Sequence, residues 1–113
     1  MFTNKPYKRN VRLSEQIKVI LSDYFTKKGV FLNGNVVSLI TITSIDLSQD
    51  LRHAKVFITS IDNYDQQNEL VDHLNKSASS FKFFIGKKIR TKNIPKLKFY
   101  YDNLFFGNVK INK

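Results

Sequence analysis

Two alternating apolar runs joined by a short polar link constrain this chain more than any other feature. VSLITITSIDL, residues 37–47, is rich in β-branched side chains and alternates, which is the pattern of a strand. AKVFITSI, residues 54–61, places Ala54, Val56 and Ile58 on one face and Lys55, Phe57 and Thr59 on the other. Ser48, Gln49 and Asp50 supply the turn between them, and a link this short makes the two strands antiparallel neighbours. A charged cluster, Arg52, His53 and Lys55, stands at the mouth of the second strand.

Helical periodicity flanks this pair on both sides. Leu13, Ile17, Ile20, Leu21 and Tyr24 recur at helical spacing, with Asn10 placed as N-cap and Gly29 where a C-terminal stop belongs, so a helix of about four turns is expected after a basic arm over residues 1–10. GVFLNGNV reads as a loop. Gly29 and Gly34 have half the spacing of a phosphate-binding loop, but Asn35 and Val36 stand where Lys and Ser or Thr would have to contact phosphate and magnesium. Beyond the second strand, Asp65 is placed to cap a helix carrying Leu70, Val71 and Leu74. SASS, residues 77–80, then predicts a kink or break, because serines compete for backbone hydrogen bonds. FKFFIGKKIRTK reads as a third helix with Phe81, Phe84, Ile85 and Ile89 on one arc and Lys82, Lys87 and Arg90 on the opposite one. Phe83 falls on the basic arc, where a ring either stacks on a base or lies partly covered. Pro95 closes this helix or its tail, and KLKFYYD is a third strand. The expectation is an α+β fold in the order α-β-β-α-(kink)-α-β, one domain over residues 11–113.

The length of 113 residues suits one domain with its own core, and 42% hydrophobic content is a folding composition. The absence of cysteine removes disulfides, thiol catalysis and Cys-based zinc sites, and fits a reducing, intracellular setting. No run of the sequence has the length of a membrane span, and MFTNKPYKRN lacks the apolar core of a signal peptide. The net charge is +10, which argues for a polyanionic partner. Its distribution strengthens the argument. From Lys76 to Lys98 there is no acid, while Lys76, Lys82, Lys87, Lys88, Arg90, Lys92, Lys96 and Lys98 all fall there. Lys5, Lys8, Arg9 and Arg12 form a second basic block at the start. Enzyme chemistry has no constellation to rest on: His53 and His73 are the only histidines and carry no paired-ligand spacing, and Ser48 has no glycine-flanked elbow. The chain reads as a binding protein without metal or cofactor.

SLITITSIDLSQDLRHAKVFITS resembles the central signature of the ribosome-binding factor A family, carried here by Ser48, Asp50, Leu51, Ala54, Lys55 and Val56. KKIRTKNIPKLKFYYDN is similar to a second block of that family, through Arg90, Pro95, Leu97, Phe99, Tyr101 and Asp102, and KRNVRLSEQIKVIL looks like its first helix, with Arg12 and Gln16 as the matches. The resemblance runs over residues 8–111. It implies a type II KH-like domain, a three-stranded sheet with helices packed on one face. Three departures stand out. Ser77, Ala78 and Ser79 occupy the family's Ala-x-Gly kink, Lys82 replaces an arginine and so loses the bidentate fork, and TKKGVFLNGN replaces an Asp-Pro after the first helix. The family's C-terminal extension has no counterpart in the matched residues.

What the resemblance implies is a cytoplasmic, monomeric, non-enzymatic assembly factor. It would bind the free or immature 30S subunit through 16S rRNA, assist late maturation and 5′-end processing in the cold, and leave with help from an assembly GTPase. The RNA contacts expected are Arg12, Lys82, Lys87, Arg90 and Lys92, followed by Lys8, Arg9 and Arg52. Ser48 and Asp50 are expected to fix the turn through backbone N–H groups, so that Arg52 and Lys55 project at the strand mouth. Two other readings remain: a generic KH-like module for single-stranded RNA, which the missing GxxG loop disfavours, and a basic scaffold for acidic proteins or membrane surfaces.

Overall fold

The computed structural model describes residues 5–32, 34–37, 40–60, 67–90 and 93–103. The long helix α1 (Lys5–Lys28) comes first. A small hairpin follows, β1 (Val30–Leu32) and β2 (Asn35–Val37), then β3 (Ile40–Leu47) and β4 (His53–Ser60). The chain continues through α2 (Gln67–Lys76) and α3 (Ala78–Lys88) into β5 (Lys96–Tyr101). β3 and β4 pair antiparallel, with Ile45 opposite Val56 and Leu47 opposite Ala54, and a register shift falls between Ile42 and Ser44. β5 joins the other side of β4 in parallel, which requires a crossover, and α2 with α3 provides it.

One core holds these layers together. Ile17, Leu21 and Phe25 of α1, Leu70 and Leu74 of α2, and Phe81 and Ile85 of α3 pack on Ile42, Val56, Ile58, Leu97 and Phe99 of the sheet. All three helices therefore cover the same face, and the α-β-β-α-break-α-β order with a three-stranded sheet stands. The face assignment of the second strand also stands for Ala54, Val56 and Ile58, all buried.

Several local expectations are corrected. α1 starts at Lys5, so Asn10 is interior and not its N-cap, and the helix runs 24 residues, not four turns. Pro6, at its second position, needs no hydrogen-bonded N–H there and has the right φ for a helix start. Residues 5–10 of the expected arm are thus helical in backbone. Gly29 does end the helix, with φ +67 and its N–H donating to the Phe25 carbonyl at 3.0 Å. The segment read as a loop forms the β1–β2 hairpin instead, turning at Gly34, whose φ of +84 suits glycine. Val37 belongs to β2, and the strand read over residues 37–47 begins at Ile40. α3 stops at Lys88, because Ile89 is already extended at φ −114, ψ 132, so Arg90 is not on the helix. Asp65, the expected cap of α2, lies outside the described residues.

The break between α2 and α3 falls on Ser77, inside the predicted segment. Its N–H reaches the carbonyls of His73 at 3.3 Å and Leu74 at 3.1 Å, closing α2, while its own carbonyl accepts from Ser80 and Phe81 and opens α3. The serine hydroxyl makes no cap bond, so the break is made by the backbone and not by side-chain competition.

Among the described residues β5 has no strand on its outer edge, and α2 closes part of that edge. Asn75 donates from Nδ2 to the Phe99 carbonyl at 3.1 Å and accepts the Phe99 N–H on Oδ1 at 2.8 Å, as a neighbouring strand would. Asn75→Ala strands both groups where they are part-buried. The expected cost is about 1–3 kcal/mol, read as a lower urea midpoint at unchanged slope. Asn75→Asp, which keeps only the acceptor, should fall between.

Candidate nucleic-acid interface

The turn at residues 48–52 is the best-fastened feature near the sheet's mouth. Ser48 N–H donates to the His53 carbonyl at 2.9 Å and Leu51 N–H to the Ser48 carbonyl at 3.0 Å. Inside that frame Ser48 Oγ donates to Asp50 Oδ1 at 2.6 Å and accepts the N–H groups of Arg52 and His53. Asp50 Oδ1 shares the Arg52 N–H at 3.0 Å. The expectation that Ser48 and Asp50 fix this turn therefore holds. Leu51 takes the left-handed conformation at φ +62, which costs a branched residue about 1–2 kcal/mol and is held by these bonds. On its far side, the Arg52 carbonyl accepts the Lys96 N–H at 2.8 Å, tying the turn to the start of β5.

Ser48 is the main cause of a lowered Asp50 pKa, followed by the Arg52 N–H; both stabilise the carboxylate. A carboxyl whose folded pKa lies below its unfolded value stabilises the protein above the unfolded value. That contribution is lost as pH falls through the folded one. The window is therefore acid, below the ordinary 3.8. Asp50→Asn should flatten this part of the stability curve. Thermal melts from neutral pH down through that window check it, the variant losing less than the parent over the acid limb.

α3 carries two stripes. Ala78, Phe81 and Ile85 face the core. Ser79, Lys82, Phe83, Gly86 and Lys87, at steps of three and four, line the near wall of an open groove, with Asn93 and Ile94 opposite. The depression continues past Lys82, Asn93 and Ile94 to Arg52, His53 and Lys96 at the sheet's mouth. Among the described residues, four fixed positive charges and no carboxylate line this path. A Cβ on Gly86 would sit 3.5 Å from Ile94 Cγ1, so helix and loop approach closely there. Phe83 is 68% exposed, with the Lys87 ammonium 4.7 Å from its ring centroid.

Of the cations picked from sequence, the structure brings Lys82, Lys87 and Arg52 together. Arg12 and Arg90 are exposed but are not among the side chains lining the groove. Lys92 and the side chains of Lys8 and Arg9 lie outside the described residues. Of the kink residues, Ser77 forms the break, Ala78 packs against the core and Ser79 lines the groove. Ala54 and Pro95 are buried. Sequence reasoning missed Lys96, His53, Asn93 and Ile94 as lining. Only the parallel register of β5 on β4, with His53 opposite Lys96, puts them there. Among the described residues no three His, Asp or Glu side chains converge as a metal site requires, and no helix is long and apolar enough to cross a membrane.

A three-stranded sheet backed on one face by three helices, with a helix break between the last two, is a KH-like α+β domain of type II. The description of the family named ribosome-binding factor A matches residues 9–113. A ribosome-binding factor A from Natranaerobius thermophilus is 32% identical over 105 residues, covering 93% of this chain and 78% of that one. One from Dichelobacter nodosus is 39% identical over 66 residues, 58% of this chain and 54% of that one. The solution structure of a Thermotoga maritima protein superposes with a TM-score of 0.68 at 26% identity, covering 88% of this chain and 91% of that one. A homology model of the Thermus thermophilus ribosome binding factor A, fitted into an electron cryo-microscopy map of a 30S complex, superposes at 0.64 and 17% identity, covering 81% and 93%. The chain belongs to the ribosome-binding factor A family.

Proposed function

We propose that this protein binds the 30S ribosomal subunit through 16S rRNA and assists its late maturation, including processing of the 16S 5′ end. The observation that carries the reading is the groove that joins Lys82 and Lys87 of α3 to Arg52 and Lys96 at the mouth of the sheet, with no acid among its described lining residues. Such a groove takes a phosphate backbone, and its shape favours RNA of matching form over any polyanion. The Thermus relative placed in a 30S complex supports the same partner. The protein acts as a monomeric binding factor in the cytoplasm, has its main effect in the cold, and departs with the help of an assembly GTPase.

Co-sedimentation with small subunits, large subunits and naked 16S RNA across a salt series tests this. Stoichiometric binding to the small subunit alone, persisting at moderate salt, is expected. With four cations on phosphates the affinity should fall with a log–log slope of roughly −3 to −3.5. Equal binding to all three, lost quickly as salt rises, would reduce the interaction to charge attraction and sink the proposal.

A further inference from the structure

The groove occupies one end of the sheet; its open face is a separate surface. Among the described residues no helix packs on that face. Its side chains lie in register across β4 and β5: Lys55 beside Lys98, and Phe57 beside Tyr100. The two rings stack, with centroids 5.4 Å apart and planes 28° apart. The Lys98 ammonium lies 5.6 Å from the Tyr100 centroid. Both lysines are exposed and the rings are half-buried, while Asp46, opposite Lys55 on β3, is the carboxylate in these rows.

We propose that this face is a stacking platform for unpaired RNA bases, with Phe57 and Tyr100 as the platform and Lys55 and Lys98 as its phosphate partners. Aromatic rings on a solvent-facing sheet accept any base by its π-face, and neighbouring cations hold the backbone. Lys98 and Tyr100 stand two residues apart along β5, about 6.6 Å of backbone rise, within the reach of one nucleotide. A base arriving on Tyr100 displaces the Lys98 ammonium from the ring, and its flexible stem carries it to a phosphate. Charge complementarity selects a nucleic acid over an apolar protein partner here, because the rings are bordered by two exposed lysines. The proposal stands on the sheet alone, whether or not the groove takes 16S rRNA.

Fluorescence anisotropy with a labelled ten-nucleotide oligouridine tests it, beside an abasic strand of equal length. The intact protein should bind oligouridine more tightly than the abasic strand. Phe57→Leu with Tyr100→Leu, which keeps the apolar contact and removes the π-faces, should weaken oligouridine binding about tenfold or more and leave abasic binding unchanged. Lys98→Gln, which leaves both rings in place, should weaken both strands. Ultraviolet cross-linking of oligouridine to the unaltered protein provides a readout that does not depend on the variants folding. Uridine adducts on the peptide of Phe57 or Tyr100 are expected. Equal affinity for the two strands, wild-type affinity in a folded double variant, or adducts confined to α3 would each overturn the platform. Co-sedimentation with small subunits is a separate measurement, so either reading can fail while the other survives.

Discussion

The double variant Lys82→Glu, Lys87→Glu is expected to stop pelleting with small subunits at moderate salt while melting within about 5 °C of the parent. Both side chains line the groove wall of α3, five residues apart and away from the stripe of Phe81 and Ile85 that faces the core. Removing two phosphate contacts should make the salt dependence shallower by roughly 1.4–1.8 log units per log unit of salt. Reversal adds like-charge repulsion, which costs several kcal/mol, so affinity should fall about a hundredfold or more. The fold has little to lose. Lys87 gives up a surface contact with the exposed Phe83 ring, worth about 0.5–1 kcal/mol. Arg90→Glu makes the comparison informative. Arg90 lies past the end of α3 and outside the groove lining, so its reversal should weaken binding far less. Equal losses from Arg90→Glu and the groove pair would mean that general charge, not the groove, governs binding.

Much of this site was legible in local sequence, and its illegible part has a topological cause. The β3–β4 pair and the stop at Gly29 follow from neighbours within a few residues, so alternation and turn chemistry were enough; the break fell inside the serine segment, but the Ser77 backbone makes it and not the hydroxyls. The outer stripe of α3 was half legible: Lys82, Phe83 and Lys87 fell on one arc of the wheel, but the same wheel ran on to Arg90. The helix actually ends sooner, where Ile89 turns extended and its side chain packs at the edge of the core. The β1–β2 hairpin has its own local signal, an Asn-Gly pair between two short apolar runs. Lys96 is different. It reaches the groove because β5 crosses over two helices to lie parallel to β4, where its N–H meets the Arg52 carbonyl. No local pattern encodes a partner that distant. The reach of α1 back to Lys5 is not marked by Asn10, a cap-like residue that lies inside the helix; the start lies instead beside Pro6, at the second position.

Phe81→Ala is the substitution expected to cost the fold most for a change so near the groove. Phe81 is buried, and its ring makes edge contacts with Tyr24 at 5.4 Å, Phe25 at 5.6 Å and Phe99 at 5.6 Å. It is the point where α1, α3 and β5 meet. Truncation removes both the transfer energy and those three edge contacts and leaves a cavity, for about 3–5 kcal/mol. A domain this size is stable by only about 5–15 kcal/mol, so the melting temperature should drop by roughly 12–25 °C. Phe83→Ala, two positions on, makes the control. That ring is 68% exposed and faces the groove, so its loss, the Lys87 contact included, should change stability by no more than about 1 kcal/mol. The pair separates the two faces of one helix. If thermal melts found the two variants equally stable, α3 would be rotated from the orientation that aims Lys82 and Lys87 into the groove. The basis for their role in binding would then fail with it. If Phe81→Ala alone melts early, the core fixes the helix, and the lysines hold their place because the phenylalanine behind them does.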